Sequence, residues 1–205
     1  MDMTLESCRT FTEVLASRAP APGGAAAGAV SAAFGTALTS MVALLTIGKE
    51  KYADVEPELI ELQKKCSRLQ TELLDQVEAD EIGFLPLMQA FRMPKDDPDR
   101  ARQIEATMTV ACEVPMHIME LCCESIDCIA EVSRKCSRLT ISDAGCAVVL
   151  CKSALQSAYL NIYANTNSLK NREIAEAYNH RAEYLVHHYG SLADEIFESV
   201  RDQFR

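Results

Sequence analysis

One acidic stretch, "EADEIGF" at residues 78–84, could supply a proton-transfer group. Asp80 follows the apolar Val77 and precedes Phe84 by one helical turn, so we expect its carboxylate to face the interior while neighbouring glutamates face water. A buried carboxylate is costly unless it is paired or functional. Spacing alone leaves two interpretations of Asp80 open, a functional acid or base and a member of a solvated charged face.

A second stretch, "LNIYANTN", places two amides on one face of a predicted helix. Asn161 and Asn165 are four residues apart and can either bind a flat polar heterocycle or hydrogen-bond a neighbouring helix. Asp143 precedes Asn161 by five helical turns, about 27 Å, so one small site cannot use both. Asp143 is equally compatible with capping the start of its helix.

The glycine turn Pro22-Gly23-Gly24 opens an uncharged run from residue 19 to residue 47. A phosphate loop would need a following Lys-Ser/Thr and a preceding strand, and both are missing. The run is long enough to span a membrane, but its many small residues also suit a helix packed among other helices. We therefore expect a buried helix whose first N–H groups can meet a ligand.

Histidine and cysteine spacing gives no sign of a metal site. His117, His180, His187 and His188 are expected to be solvated or at the edge of the core. The nine cysteines are scattered without a C-x-x-C pair, which favours reduced thiols in a cytoplasmic protein. The adjacent pair at 122 and 123 is expected to fill the core.

Helical periodicity dominates the chain, and strand alternation is hard to find. The pattern predicts an all-α bundle of about six helices in one domain, residues 1–205, with the small-residue helix from Gly24 to Ile47 at its centre. Pro86 and Pro115 predict kinks in two long helices, because the apolar period resumes beyond each proline. A kink is a common place for a ligand cavity.

The formal net charge of −10 predicts that the protein binds neither nucleic acid nor an anionic membrane surface, since no cluster of Lys and Arg overrides it.

Six fragments in order resemble the cyclodeaminase domain of the formiminotransferase-cyclodeaminase family. The opening "FTEVLASRAPAPGGAAAGAVSAAFGTALTSMVALLTIGKEKY" is similar to the family's Pro-Gly-Gly-Gly, Met-Val-Ala and Leu-Thr-x-Gly-Lys-x-x-Tyr pattern. The other fragments are "ADEIGF", "MPK", "EVP", "ISDAG" and "LNIYANTNSL". The resemblance covers nearly the whole chain.

The resemblance implies an all-helical, self-associating folate enzyme of one-carbon metabolism. Its first expected activity is formiminotetrahydrofolate cyclodeaminase, which forms 5,10-methenyltetrahydrofolate and releases ammonia; its second is methenyltetrahydrofolate cyclohydrolase. Asp80 is the expected proton-transfer group. No cofactor is expected beyond the tetrahydrofolate substrate, and without a formiminotransferase domain the substrate would come from a separate protein. The residues expected to bind substrate are Pro22, Gly23, Gly24, Lys49, Lys51, Lys95, Asp143, Asn161 and Asn165; the lysines would meet the anionic glutamate tail.

The chain departs from the family pattern at Ala25 and Ala26, where a third glycine and a serine are usual, and at Ser137 and Asn171. These changes keep a third alternative open, a non-catalytic helical binding or scaffold protein. A solvated Asp80 with no pocket near Gly23 and Gly24 would favour it. The protein is expected to be a homodimer or larger, because antiparallel copies of one helix would bring Asp143 of one chain toward Asn161 of the other.

Overall fold

A computed structural model describes residues 2–205, and these residues contain seven α-helices and no strand. The all-α prediction is confirmed; there are seven helices rather than about six because the long helix expected to contain Pro115 is divided at Cys112. The helices are Cys8–Leu15 (α1), Gly24–Leu44 (α2), Glu56–Arg92 (α3), Arg100–Ala111 (α4), Glu113–Lys135 (α5), Ile141–Thr166 (α6) and Arg172–Asp202 (α7).

The long helices start where the sequence supplies the appropriate signals. Glu56, Pro57 and Glu58 open α3, which places negative charge and a fixed φ angle in its first turn. At the start of α7 the Asn171 side chain accepts a hydrogen bond from the Ile174 N–H at 3.3 Å. The α2 helix begins at Gly24 with no side-chain cap, so its first N–H groups have no partner within the helix.

Helix α2 lies at the centre of the bundle and packs antiparallel against α6. The two backbones approach closely: a methyl group built on Gly35 would lie 2.7 Å from both the Ala147 carbonyl oxygen and Cys151 Sγ. One built on Gly28 would lie 3.3 Å from Ser157 Cβ. Small residues on α2 therefore set the α2–α6 distance, as expected for a helix enclosed by others.

Burial of α2 bears on the alternative of a membrane span. Within residues 2–205 it is the one helix long and apolar enough to cross a membrane, with a mean hydropathy of 1.5, and 56% of that apolar window is buried in the protein. Such burial is typical of the core helix of a soluble bundle.

The two prolines act differently. Pro86 lies inside the continuous helix α3. The expectation that Pro115 kinks a helix without ending it is wrong, because α4 stops at Ala111 and α5 starts at Glu113. Pro115 has no N–H to donate to the Ala111 carbonyl four residues earlier, so the helical ladder is interrupted there.

Histidines and cysteines occupy the expected environments. All four histidines are exposed, on α5 and α7. Cys122 and Cys123 are buried in the core, and all nine cysteines are free thiols.

Candidate functional site

A cleft of about 180 Å³ opens at the N-terminal end of α2. Four parts of the bundle form it: the turn before α2, the middle of α3, the α4–α5 junction and the C-terminal half of α6. Its walls are apolar and its rim carries a carboxylate and two amides. The lining residues are Pro20, Ala21, Gly23, Gly24, Asp80, Gly83, Phe84, Ala111, Val114, Pro115, Asn161 and Asn165.

Asp80 reaches this cleft from α3 and is half-buried, whereas Glu78 is exposed. Burial raises the pKa of the Asp80 carboxyl above its ordinary value, and a hydrogen-bond interaction with the main-chain N–H of Ala26 opposes that rise in part. Among residues 2–205, no Lys, Arg or His side chain forms an ion pair with Asp80. The carboxylate is therefore held in a partly desolvated place without a permanent counter-ion.

The glycine turn brings the first N–H groups of α2 to the cleft, and that of Ala26 interacts with Asp80. Gly23 has φ −116° and ψ −162°, and Gly48 is the one described residue with positive φ, so the turn needs no left-handed conformation. Replacing the family's third glycine by Ala25 therefore introduces no backbone strain. Ala25 and Ala26 lie inside α2 with their methyl groups buried in the core.

Gly24 contacts α6 directly. Its carbonyl accepts a hydrogen bond from Ser157 Oγ at 3.0 Å, and a methyl group built on it would lie 3.4 Å from Asn161 Nδ2. Sequence reasoning missed Ser157, since nothing in its neighbourhood marks it as a partner of a turn 133 residues earlier.

The two amides of α6 both face the cleft, and each is tied to a main-chain carbonyl. Asn161 Nδ2 donates to the main-chain carbonyl oxygen of Ser157 at 2.9 Å, and Asn165 Nδ2 donates to the main-chain carbonyl oxygen of Ala111 at 2.8 Å. The second bond satisfies the carbonyl that Pro115 leaves without its helical donor. Asn165 thus hydrogen-bonds a neighbouring helix, as one of the two alternatives expected, and it also lines the cleft; binding of a heterocycle by this pair stays a prediction.

Sequence reasoning missed the apolar wall made by Ala111, Val114 and Pro115. The available signal was Pro115 itself, since a proline within an apolar helical pattern often marks a cavity. Phe84, one turn beyond Asp80, completes this wall. No sequence pattern linked the wall to the amides on α6, because their contact is made only in the tertiary structure.

The remaining candidates lie outside the cleft. Pro22 is buried beneath it and does not line it. Asp143 lies in the first turn of α6, about 27 Å of helix from Asn161. Lys49 and Lys51 are exposed beyond the far end of α2, about 30 Å from Gly24. Lys95 is exposed between α3 and α4, about 18 Å of helix from the cleft end of α4. Their substrate-binding roles stay predictions.

The arrangement suits acid–base chemistry on a polar heterocycle. The cleft offers one carboxylate able to accept and return a proton, amide oxygens, main-chain N–H donors and apolar walls for a ring. Within residues 2–205, no group of three or more His, Cys, Asp or Glu side chains is arranged to hold a metal ion.

Comparisons with known proteins place this geometry in a family. A family model described as formiminotransferase-cyclodeaminase matches residues 7–184. The chain is 38% identical over 202 residues to the methenyltetrahydrofolate cyclohydrolase of Methylorubrum extorquens, covering 97% of each protein. It is 26% identical over 185 residues to the formimidoyltransferase-cyclodeaminase of Mus musculus, covering 88% of this chain and 34% of the mouse protein.

A solved structure confirms the fold. The crystal structure of formiminotetrahydrofolate cyclodeaminase from Thermotoga maritima superposes with a TM-score of 0.85 at 22% identity, covering 96% of this chain and 98% of that chain. The resemblance found in the sequence is thereby confirmed over nearly its whole length. Because the family model matches most of the chain, the chain belongs to the formiminotransferase-cyclodeaminase family.

Proposed function

We propose that this chain is an enzyme of folate one-carbon metabolism that interconverts 5,10-methenyltetrahydrofolate and 10-formyltetrahydrofolate. The observation that carries the proposal is the 38% identity, end to end, with a methenyltetrahydrofolate cyclohydrolase. This reverses the order of the sequence analysis, which placed cyclodeaminase first. The cleft supports the proposal, because it combines an unpaired carboxylate with polar groups and apolar walls suited to a folate ring.

Asp80 would move the protons of this reaction. As a carboxylate it takes a proton from water as the water oxygen bonds to the carbon bridging N-5 and N-10. The tetrahedral intermediate then breaks its N-5 to carbon bond, and the carboxyl returns its proton to N-5 while the hydroxyl proton leaves as the formyl carbonyl forms. The net products are 10-formyltetrahydrofolate and one proton. These steps transfer protons and make and break bonds at one carbon without changing its oxidation level, so we propose that no cofactor is needed beyond the tetrahydrofolate substrate.

Cyclodeaminase activity is the second candidate, favoured by the relatives that carry that name. It would use the same cleft and the same tetrahedral carbon, with ammonia as the departing group. The solved chain that bears the cyclodeaminase name in Thermotoga maritima is matched over 98% of its length.

Two structural features disfavour the non-catalytic alternative. Asp80 is half-buried, and a cleft does adjoin Gly23 and Gly24.

A two-substrate assay tests the activity. Purified protein is supplied with 5,10-methenyltetrahydrofolate and, separately, with 5-formiminotetrahydrofolate, and the methenyl absorbance is followed. We expect enzyme-dependent loss of absorbance with the first substrate. Formation of methenyl absorbance from the second substrate alone would establish the cyclodeaminase instead, and absence of turnover and of folate binding with both would refute the enzyme proposal.

Two matched variants on α3 test the role of Asp80. Asp80→Asn should lower kcat by about 100-fold or more and leave folate affinity largely intact, because the amide cannot accept the proton. Asp75→Asn removes an exposed carboxylate from the same helix and should leave kcat unchanged. Equal kcat in wild type and Asp80→Asn would return Asp80 to the solvated-face interpretation.

We also propose that the protein is a homodimer. Its accessible surface is 11001 Å², whereas a compact monomer of 22.6 kDa exposes about 9,500 Å². Part of the exposed surface is apolar: Phe34 and Met41 on the outer side of α2 and Leu45 just beyond its end each expose more than a third of their surface. A two-fold axis on this face would cover them in both copies.

Such a dimer gives a role to the candidates that lie far from the cleft. Asp143, Lys49 and Lys51 sit at the opposite end of the α2–α6 pair from Asn161. An antiparallel copy would carry them toward its partner's cleft, where the lysines could bind the anionic glutamate tail.

Sedimentation of two exposed-phenylalanine variants tests the dimer. Phe34→Glu should yield a monomer, because it places a charge on the proposed interface, and Phe204→Glu at the C-terminal end should leave the dimer intact. A wild-type protein that is fully active as a monomer would refute the proposal.

The nine free thiols fit a reducing compartment, and we propose a cytoplasmic location.

A further inference from the structure

The direction in which each cleft amide points is dictated by its main-chain partner. Asn161 Nδ2 contacts the Ser157 oxygen and Asn165 Nδ2 contacts the Ala111 oxygen, at 2.9 and 2.8 Å. A carbonyl oxygen has no proton, so only the amide nitrogen can make a favourable contact there. The Oδ1 atom of each amide must therefore point away from that main-chain carbonyl.

Both amide oxygens lack an internal partner. Among residues 2–205, no donor is hydrogen-bonded to Oδ1 of Asn161 or of Asn165, although both side chains are half-buried in the cleft. Asp80 adds a carboxylate that has no cationic partner. This side of the cleft is thus rich in hydrogen-bond acceptors, and the matching ligand surface is one that presents N–H donors.

We propose that Asn161 and Asn165 bind the donor edge of the substrate's 2-amino-4-oxopyrimidine ring, Asn161 accepting from the exocyclic 2-amino group and Asn165 accepting from the ring N–H. This inference rests on the proposed folate function and adds an orientation to it. The 2-amino end of the ring lies against α6, and the carbon between N-5 and N-10 lies toward Asp80 on α3. Apolar contact with Phe84 and Val114 covers the ring faces.

The first N–H groups of α2 complement this arrangement. They lie beside the amides, since Gly24 is in contact range of Asn161, and they have no partner within the helix. Ring atom N-1, next to the 2-amino group, is an acceptor and can receive such an N–H. One ring thus matches both the acceptors of α6 and the donors of α2, which a simple cation would not.

Binding of two ligands to one variant tests the proposal. In Asn161→Leu the leucine side chain has nearly the same shape as the asparagine that it replaces. The Ser157 carbonyl still accepts the helical main-chain N–H of residue 161, so no carbonyl is left unpaired in the helix. The ligands are tetrahydrofolate and its analogue with a methyl group in place of the 2-amino group. The matched control Asn167→Leu removes an exposed amide beyond the end of α6.

We expect Asn161→Leu to weaken tetrahydrofolate binding about tenfold, measured by calorimetry, and to leave binding of the 2-methyl analogue unchanged. Asn167→Leu should change neither. Equal losses for both ligands in Asn161→Leu would overturn the assigned orientation while leaving the proposed function standing. Failure of the wild-type protein to bind either ligand would overturn the proposed function and this inference with it.

Discussion

Replacing Gly35 by alanine should destabilise the protein at the contact that fixes α2 against α6. The added methyl group would lie 2.7 Å from the Ala147 carbonyl oxygen and from Cys151 Sγ, where ordinary contacts begin at 3.4 Å, so the helices must separate by about 0.7 Å. Overpacking of this kind costs about 3 kcal/mol at the upper end of its usual range. Alanine recovers about 1 kcal/mol through its higher helix propensity, which leaves a net loss of about 2 kcal/mol.

Gly190 supplies the matched control. It also lies inside a helix, but a methyl group built on it meets no atom within 4 Å. Gly190→Ala should therefore gain the propensity term alone, about 1 kcal/mol.

Urea and thermal unfolding at one fixed protein concentration measure both variants. At this chain length we expect Tm to fall by about 4–8 °C for Gly35→Ala and to rise by about 2–4 °C for Gly190→Ala. A Gly35→Ala protein as stable as wild type would refute the steric argument, because propensity alone cannot produce opposite signs at the two sites.

Two further predictions concern the cleft. Asp80→Asn should raise Tm at neutral pH, because burial raises the pKa of the Asp80 carboxyl and its ionised form therefore destabilises the folded protein. The variant should lose this advantage as the pH falls below the ordinary aspartate pKa, where the wild-type carboxyl is protonated. Thermal unfolding from pH 7 down to pH 3.5 checks the sign. Asn165→Leu should cost about 1–3 kcal/mol in urea unfolding, because the Ala111 carbonyl loses its donor, and Asn161→Leu should cost less. Equal losses of unfolding free energy in the two asparagine variants would contradict the argument that Pro115 leaves the Ala111 carbonyl dependent on Asn165.

Much of the fold follows from local patterns that the sequence displays. The charge-free run of small residues indicated the central helix α2, and apolar periodicity indicated α3, α6 and α7. The break at Cys112 was not predicted, because Pro115 in an apolar pattern is compatible with either a kink or an end. Whether the helix kinks or ends depends on whether a neighbouring helix donates a hydrogen bond to the freed Ala111 carbonyl, and here the Asn165 side chain on α6 does.

The candidate site was predictable in part. Asp80, Gly23, Gly24, Asn161 and Asn165 were expected from spacing and resemblance, and all five line one cleft. The kink expected at Pro115 pointed to a cavity, but the full apolar wall and the Ser157 contact could not be foreseen, since they depend on how α4, α5 and α6 pack. Spacing along α6 placed Asp143 far from Asn161, but it gave no means of showing that Lys49 and Lys51 lie at the opposite end of the α2–α6 pair from the cleft.

The unequal attachment of the two cleft walls has a dynamic consequence. Glycines interlock α2 with α6, so the wall that carries Gly24 and Asn161 cannot slide without steric collision. In the opposite wall the backbone ladder is interrupted at Cys112, and the freed Ala111 carbonyl is held by one side-chain hydrogen bond from α6. Breathing of the cleft is therefore expected at residues 111–115, and amide hydrogen exchange should be faster there than in α2 and should slow when ligand binds.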